Sequence, residues 1–113
     1  MPGKNQDTQQ KLQRLRQQYA EKLPERINSL EQQWLALNLD PQSIQYENLI
    51  REFHSLAGSG TSFGFPQVTA LSREIENILR DAQTTIEQNS EQLKTEINAK
   101  LASLKLSVTA ELN

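Results

Sequence analysis

Apolar residues recur every three or four positions along almost the whole chain, the spacing of a helix that buries one face. In the first segment the stripe is Leu12, Leu15, Tyr19, Leu23, Ile27, Leu30, Trp34 and Leu37. Pro24 falls inside it, and an internal proline removes a backbone donor and crowds the preceding turn. A kink or a fresh helix start is therefore expected near Leu23. A second stripe, Tyr46, Leu49, Ile50, Phe53, Leu56 and Ala57, follows Asn38-Leu39-Asp40-Pro41. There Asp40 is read as the helix cap and Pro41 as the first helical position. Gly58 and Gly60 weaken this helix, and its end is expected near Phe63-Gly64. A third stripe begins around Pro66 with Val68, Leu71, Ile75, Ile78, Leu79 and Ala82. A fourth, capped by Asn89 or Ser90, carries Leu93, Ile97, Leu101, Leu104 and Val108.

No segment alternates as a strand would, and the connections are short. The pattern predicts an all-α fold, an up-down four-helix bundle with a kinked or extended N-terminal helix. At 113 residues the chain suits a single domain, residues 1–113, with a core over about 12–106 and a polar N-terminal tail at 1–8. Residues 109–113 are expected to fray.

Composition removes several classes of function. Formal net charge is −2 with both signs mixed, so there is no basic stripe for nucleic acid. No apolar run reaches the roughly 20 residues of a membrane span, and Met1 to Gln10 lacks the apolar stretch of a signal peptide. No cysteine is present and only one histidine, which leaves no thiolate site and argues against a zinc site. These features predict a cytoplasmic protein without a cofactor, and with no nucleic-acid or membrane partner.

The single histidine, His54, holds a special place. With Phe53 at the centre of the buried face, His54 lies about 100° away, on the border between core and solvent. Three of the four glycines fall between Gly58 and Gly64. Gly58 stands one turn after His54, where a mid-helix glycine costs about 1 kcal/mol relative to alanine. One explanation is that a side chain there would block approach to the histidine. The other is that the glycines simply end the helix. On the third helix Glu76 sits at the corresponding border beside Ile75. It can accept the Nδ1 proton of His54, leaving Nε2 as an exposed nucleophile. It can also pair with Arg73 or Arg80 on its own helix, and the two roles are compatible. No serine, cysteine or second acid completes a hydrolytic triad with His54.

The run His54-Ser55-Leu56-Ala57-Gly58-Ser59-Gly60-Thr61-Ser62-Phe63-Gly64-Phe65 resembles the signature of histidine-containing phosphotransfer (Hpt) domains. The histidine, the leucine two residues on and both glycines of that signature match His54, Leu56, Gly58 and Gly64. Tyr19, Leu23-Pro24, Leu30 and Trp34 resemble the family's first helices, and Arg73, Ile75 and Glu76 resemble the helix packed on the histidine. The resemblance spans roughly Leu12 to Leu104.

It implies a four-helix bundle whose histidine is phosphorylated on Nε2, with Glu76 orienting Nδ1. It also implies a partner-docking patch at Gly58, for which Ser59, Thr61 and Arg51 are further candidates. The partners implied are a response-regulator receiver domain and a sensor histidine kinase, whose active sites supply Mg²⁺. The chain itself would be a carrier and not an enzyme. One position departs from the pattern: the lysine often found three residues after the histidine is Ala57. Arg51, Arg73 or a partner's side chain are candidate substitutes for its charge. Two other settings fit the same residues. One is a non-phosphorylated helical adaptor that binds receiver or kinase domains. The other is the substrate module of a chemotaxis-type histidine kinase.

Overall fold

A computed structural model describes the backbone of residues 2–37, 40–84 and 90–112. Four helices account for nearly all of it: α1 Pro2–Ala36, α2 Ile44–Phe63, α3 Pro66–Thr84 and α4 Ser90–Leu112. Among the described residues there is no strand. Each helix packs against the next, and α1 closes the bundle against both α2 and α4.

The core is the set of predicted stripes brought together. Leu23, Ile27, Leu30 and Trp34 of α1 meet Tyr46, Leu49, Ile50, Phe53 and Leu56 of α2. Val68, Ile75 and Leu79 of α3 and Leu93, Ile97, Leu101, Leu104 and Val108 of α4 complete it. Two hydrogen bonds tie helix pairs within this apolar mass. Tyr46 Oη donates to the Leu79 carbonyl at 2.8 Å, and Trp34 Nε1 donates to Asn98 Oδ1 at 2.9 Å. Burial pushes the Tyr46 hydroxyl up to about 12, because phenolate would be desolvated there.

Four details differ from the sequence expectations. First, α1 runs unbroken through Pro24, so no new helix starts near Leu23. Leu23 and Ile27 on either side are both buried, and their packing offsets the roughly 3 kcal/mol that an internal proline costs. Second, α2 is capped by Ser43 and not by Asp40. The Ser43 side chain accepts from Tyr46 N at 3.2 Å, with Ser43 itself in extended backbone. Asp40 Oδ1 instead accepts from Gln42 N, and Asp40 O accepts from Ser43 N. The Asp-Pro pair therefore makes a turn before the helix.

Third, Leu12 and Leu15 belong to the α1 stripe but lie outside the core, at 60% and 44% exposure. A 35-residue helix is about 52 Å long, whereas the 20 residues of α2 reach about 30 Å. The start of α1 therefore overhangs the bundle, and residues 2–8 are helical. Fourth, α4 continues past the expected core limit to Leu112, with Val108 buried. Glu111 Oε1 accepts from Gln67 N at 2.7 Å, placing a carboxylate at the positive N-terminal end of α3. Of the two candidate caps for α4, Ser90 is its first residue and Asn89 lies outside the described residues.

Candidate functional site

α2 ends in a tight motif that fixes its register against α1 and α3. Gly64 adopts φ +80°, the left-handed conformation that glycine accepts without strain. Its N–H and that of Phe65 bond back to Thr61 O and Gly60 O, the double closure of a Schellman cap. Arg16 of α1 covers this end. Its Nε donates to Phe63 O at 3.1 Å, and its guanidinium lies 4.8 Å from the centre of the Phe65 ring. A cation is favourable at the negative end of a helix. Tyr19 stacks on Phe63 at 4.6 Å, which draws α1 down on to α2.

The α2–α3 seam is closer. Gly60 is buried, and a Cβ built there would lie 2.6 Å from Thr69 Oγ1 and 3.3 Å from the Thr69 N and Phe65 O backbone atoms. Gly60 thus lets the two helices approach. Thr69 Oγ1 uses the closeness to donate to Ala57 O at 2.9 Å, and Thr61 Oγ1 lies 3.2 Å from Thr69 Oγ1. Gly58 is the opposite case. It is exposed, and nothing stands within 4 Å of a Cβ placed on it.

One turn before Gly58, His54 presents its ring with 72% of the side chain exposed. Across the seam Glu76 is almost enclosed, at 10% exposure, and its oxygens lie 3.0 and 3.1 Å from His54 Nδ1. A carboxylate only accepts, so Nδ1 carries the proton and Nε2 is the lone-pair nitrogen of the neutral ring. Arg80, four residues along α3, donates from Nε to Glu76 Oε2 at 2.9 Å. The carboxylate therefore holds the imidazole on one side and is itself held on the other. Of the partners considered for Glu76, His54 and Arg80 are engaged and Arg73 is not.

The remaining candidates are spread around this pair. Arg51 is exposed and sits 3.8 Å from Glu47 on its own helix. Ser59 is half-buried, with Oγ 2.8 Å from Tyr19 Oη and 3.3 Å from Arg26 Nη1, so its hydroxyl faces α1. Thr61 is exposed at residue level, yet its hydroxyl faces Ala57 O and Thr69. Arg73 is exposed on α3, one turn from Glu76. Ala57 is 2% exposed, so its side chain adds neither charge nor polarity to the surface. Sequence reasoning missed Arg26, whose Nη2 donates to Ser55 Oγ at 3.1 Å. The available signal was its spacing of seven residues, two helical turns, from Tyr19. Among the described residues no cluster of three or more His, Cys, Asp or Glu side chains is arranged to hold a metal ion. No helix among them is long and apolar enough to cross a membrane.

The described helices thus form a bundle that offers one histidine to solvent, with its Nδ1 held by a carboxylate from the next helix. The family model for the Hpt domain matches residues 14–105, most of the chain. The chain belongs to the Hpt domain family, whose members serve phosphotransfer in two-component systems and are carriers, not catalysts in themselves. Comparison with curated proteins and with solved structures returned no match.

Proposed function

We propose that this chain carries a phosphoryl group on Nε2 of His54, between a sensor histidine kinase and the aspartates of receiver domains in a cytoplasmic phosphorelay. The observation that carries this reading is the 3.0 Å contact between His54 Nδ1 and the enclosed Glu76, beside a largely exposed ring and the bare Gly58. The contact fixes the tautomer, so the nucleophilic nitrogen is the one that faces a partner.

In transfer from a receiver, the Nε2 lone pair attacks phosphorus and an N–P bond forms. The aspartyl O–P bond breaks, and the carboxylate leaves with the bonding pair. The ring keeps its Nδ1 proton and becomes positive, and Glu76 offsets that charge. In the reverse direction Nε2 is the leaving group. Such chemistry depends on in-line positioning and charge stabilisation more than on covalent help from the carrier. Mg²⁺ and the remaining charge belong to the partner's site.

The test is a phosphotransfer assay with Mg²⁺ and phosphorylated receiver domains. The chain should acquire acid-labile, alkali-stable label. His54→Gln should abolish the label while the circular dichroism of the bundle is unchanged. Gly58→Leu should block transfer with helix content retained, because its side chain would fill the approach to the ring. Label on the His54→Gln variant, or a folded wild-type chain that no kinase or receiver labels, would overturn the reading. The second result would favour an adaptor that binds such domains without chemistry.

A further inference from the structure

The inference concerns the partner surface of the proposed carrier and rests on that reading. With alanine at position 57, the turn of α2 that follows the histidine brings no cation to its side. The arginines around His54 are held in three different ways. Arg51 pairs with Glu47, and Arg80 pairs with Glu76, so each has its charge offset locally. Arg73 has neither a carboxylate nor a hydroxyl holding it among the described residues, so its exposed chain would have to be ordered on binding.

Arg26 is different. Its guanidinium is fixed by two neutral hydroxyls, Ser55 Oγ at 3.1 Å and Ser59 Oγ at 3.3 Å. Ser59 is in turn braced by Tyr19 Oη at 2.8 Å. Hydroxyls hold an arginine in place without cancelling its charge, and among the described residues no carboxylate lies within ion-pair distance of Arg26. Its two anchors follow His54 and Gly58 directly in sequence. A half-buried, oriented and uncompensated cation therefore borders the bare strip on its α1 side.

We infer that Arg26 is a docking residue that engages the carboxylate-rich mouth of the receiver's active site. The chemistry of the occupant follows from the reaction. The acceptor is an aspartate, and a Mg²⁺ ion beside it is held by oxygen ligands, carboxylates among them. A fixed cation at the rim of such a contact speeds encounter and sets orientation, and it costs little side-chain entropy when already positioned. Arg26 is not placed on the reacting atoms. It acts on complex formation and leaves the chemical step alone.

The experiment is single-turnover transfer from a phosphorylated receiver to the full chain, measured over a range of chain concentrations at low and moderate salt. Arg26→Gln should raise the half-saturating concentration roughly threefold to tenfold and weaken its salt dependence, as loss of a rim charge does. The limiting rate at saturation should change by less than about twofold, since no reacting atom is touched. Arg26→Lys keeps the charge but not the forked hydrogen bonds, and should restore most of the wild-type half-saturation. Unchanged half-saturation in Arg26→Gln would overturn the inference. So would equal impairment of both variants with a lowered thermal midpoint, which would make Arg26 a structural brace between α1 and α2. If His54 of the wild type takes no label from any receiver, the carrier reading falls and this inference with it. Label on wild-type His54 with an unaffected Arg26→Gln removes the inference alone.

Discussion

The two seams along α2 are built from different materials. Towards α3 the contacts are short. Gly60 admits Thr69, whose backbone N would stand 3.3 Å from a Cβ there, and Thr69 Oγ1 bonds the Ala57 carbonyl at 2.9 Å. Towards α1 the polar contacts are made by the ends of long side chains: Arg16 on the Phe63 carbonyl, Tyr19 and Arg26 on serine hydroxyls. A short contact between backbones leaves few alternative arrangements, whereas a long side chain can re-form its bonds elsewhere. The His54–Glu76 pair spans the first kind of seam, and Arg26 belongs to the second. The histidine is thus set by the rigid side of the helix, and the proposed docking cation by the adaptable side.

The largest test of this contrast is at Gly60. Gly60→Ala places a Cβ against Thr69 Oγ1 and two backbone atoms, so the seam must open or Thr69 must give up its bonds. Overpacking of this sort costs about 1–3 kcal/mol. Alanine also gains about 0.5–1 kcal/mol of helix propensity within α2, so urea unfolding should show a net loss of up to about 2 kcal/mol. The opened seam should also lengthen the His54–Glu76 contact, seen as a changed Nδ1 signal in imidazole nitrogen NMR. A variant as stable as the wild type, with the same ring signal, would show that the seam is not rigid.

Much of this arrangement is legible in the sequence because it follows from helical periodicity. The stripes through Phe53 and Ile75 place His54 and Glu76 at matching borders, and adjacent antiparallel helices bring matching borders together. What escapes the sequence depends on what stands opposite. Gly58 and Gly60 look alike as residues, but one faces open space and the other Thr69. Leu12 and Leu15 fit their stripe, yet α1 outruns its neighbours and leaves them exposed. Asp40 and Ser43 are both able caps, and the choice falls to Ser43 because Asp40 is already used in the turn. Arg26 carries only the faint signal of standing two turns after Tyr19, since its meaning lies in two serines on another helix.

A smaller effect is expected at Tyr46, whose hydroxyl also ties α2 to α3. Tyr46→Phe removes one buried hydrogen bond to the Leu79 carbonyl and should cost about 1 kcal/mol near neutral pH. The pH dependence is more informative. The folded-state value of the hydroxyl is raised from 10.0 to about 12, so the neutral phenol is favoured in the fold. That contribution is fully present below about pH 10 and is lost as pH rises through about 12, because the unfolded chain ionises first. Wild-type stability should therefore fall across this window more steeply than that of Tyr46→Phe. Parallel curves from alkaline denaturation would mean that the hydroxyl is not enclosed.

The smallest effect, and the one with opposite sign, is at Gly58. Nothing stands within 4 Å of a Cβ there, and Gly58 lies within α2. Gly58→Ala should stabilise the bundle by about 0.5–1 kcal/mol, the helix-propensity difference between the two residues. If the bare strip serves only the helix, transfer to and from a receiver should be unchanged in this more stable variant. If the strip is where a partner closes on His54, one added methyl should slow transfer modestly, and the longer Gly58→Leu side chain should stop it. A gain in stability accompanied by a graded loss of transfer would mean that the glycine is retained against the preference of its own helix, for the sake of a surface. A gain in stability with full transfer in both variants would leave Gly58 without a role in docking and would move the contact towards Arg26 and the α1 side.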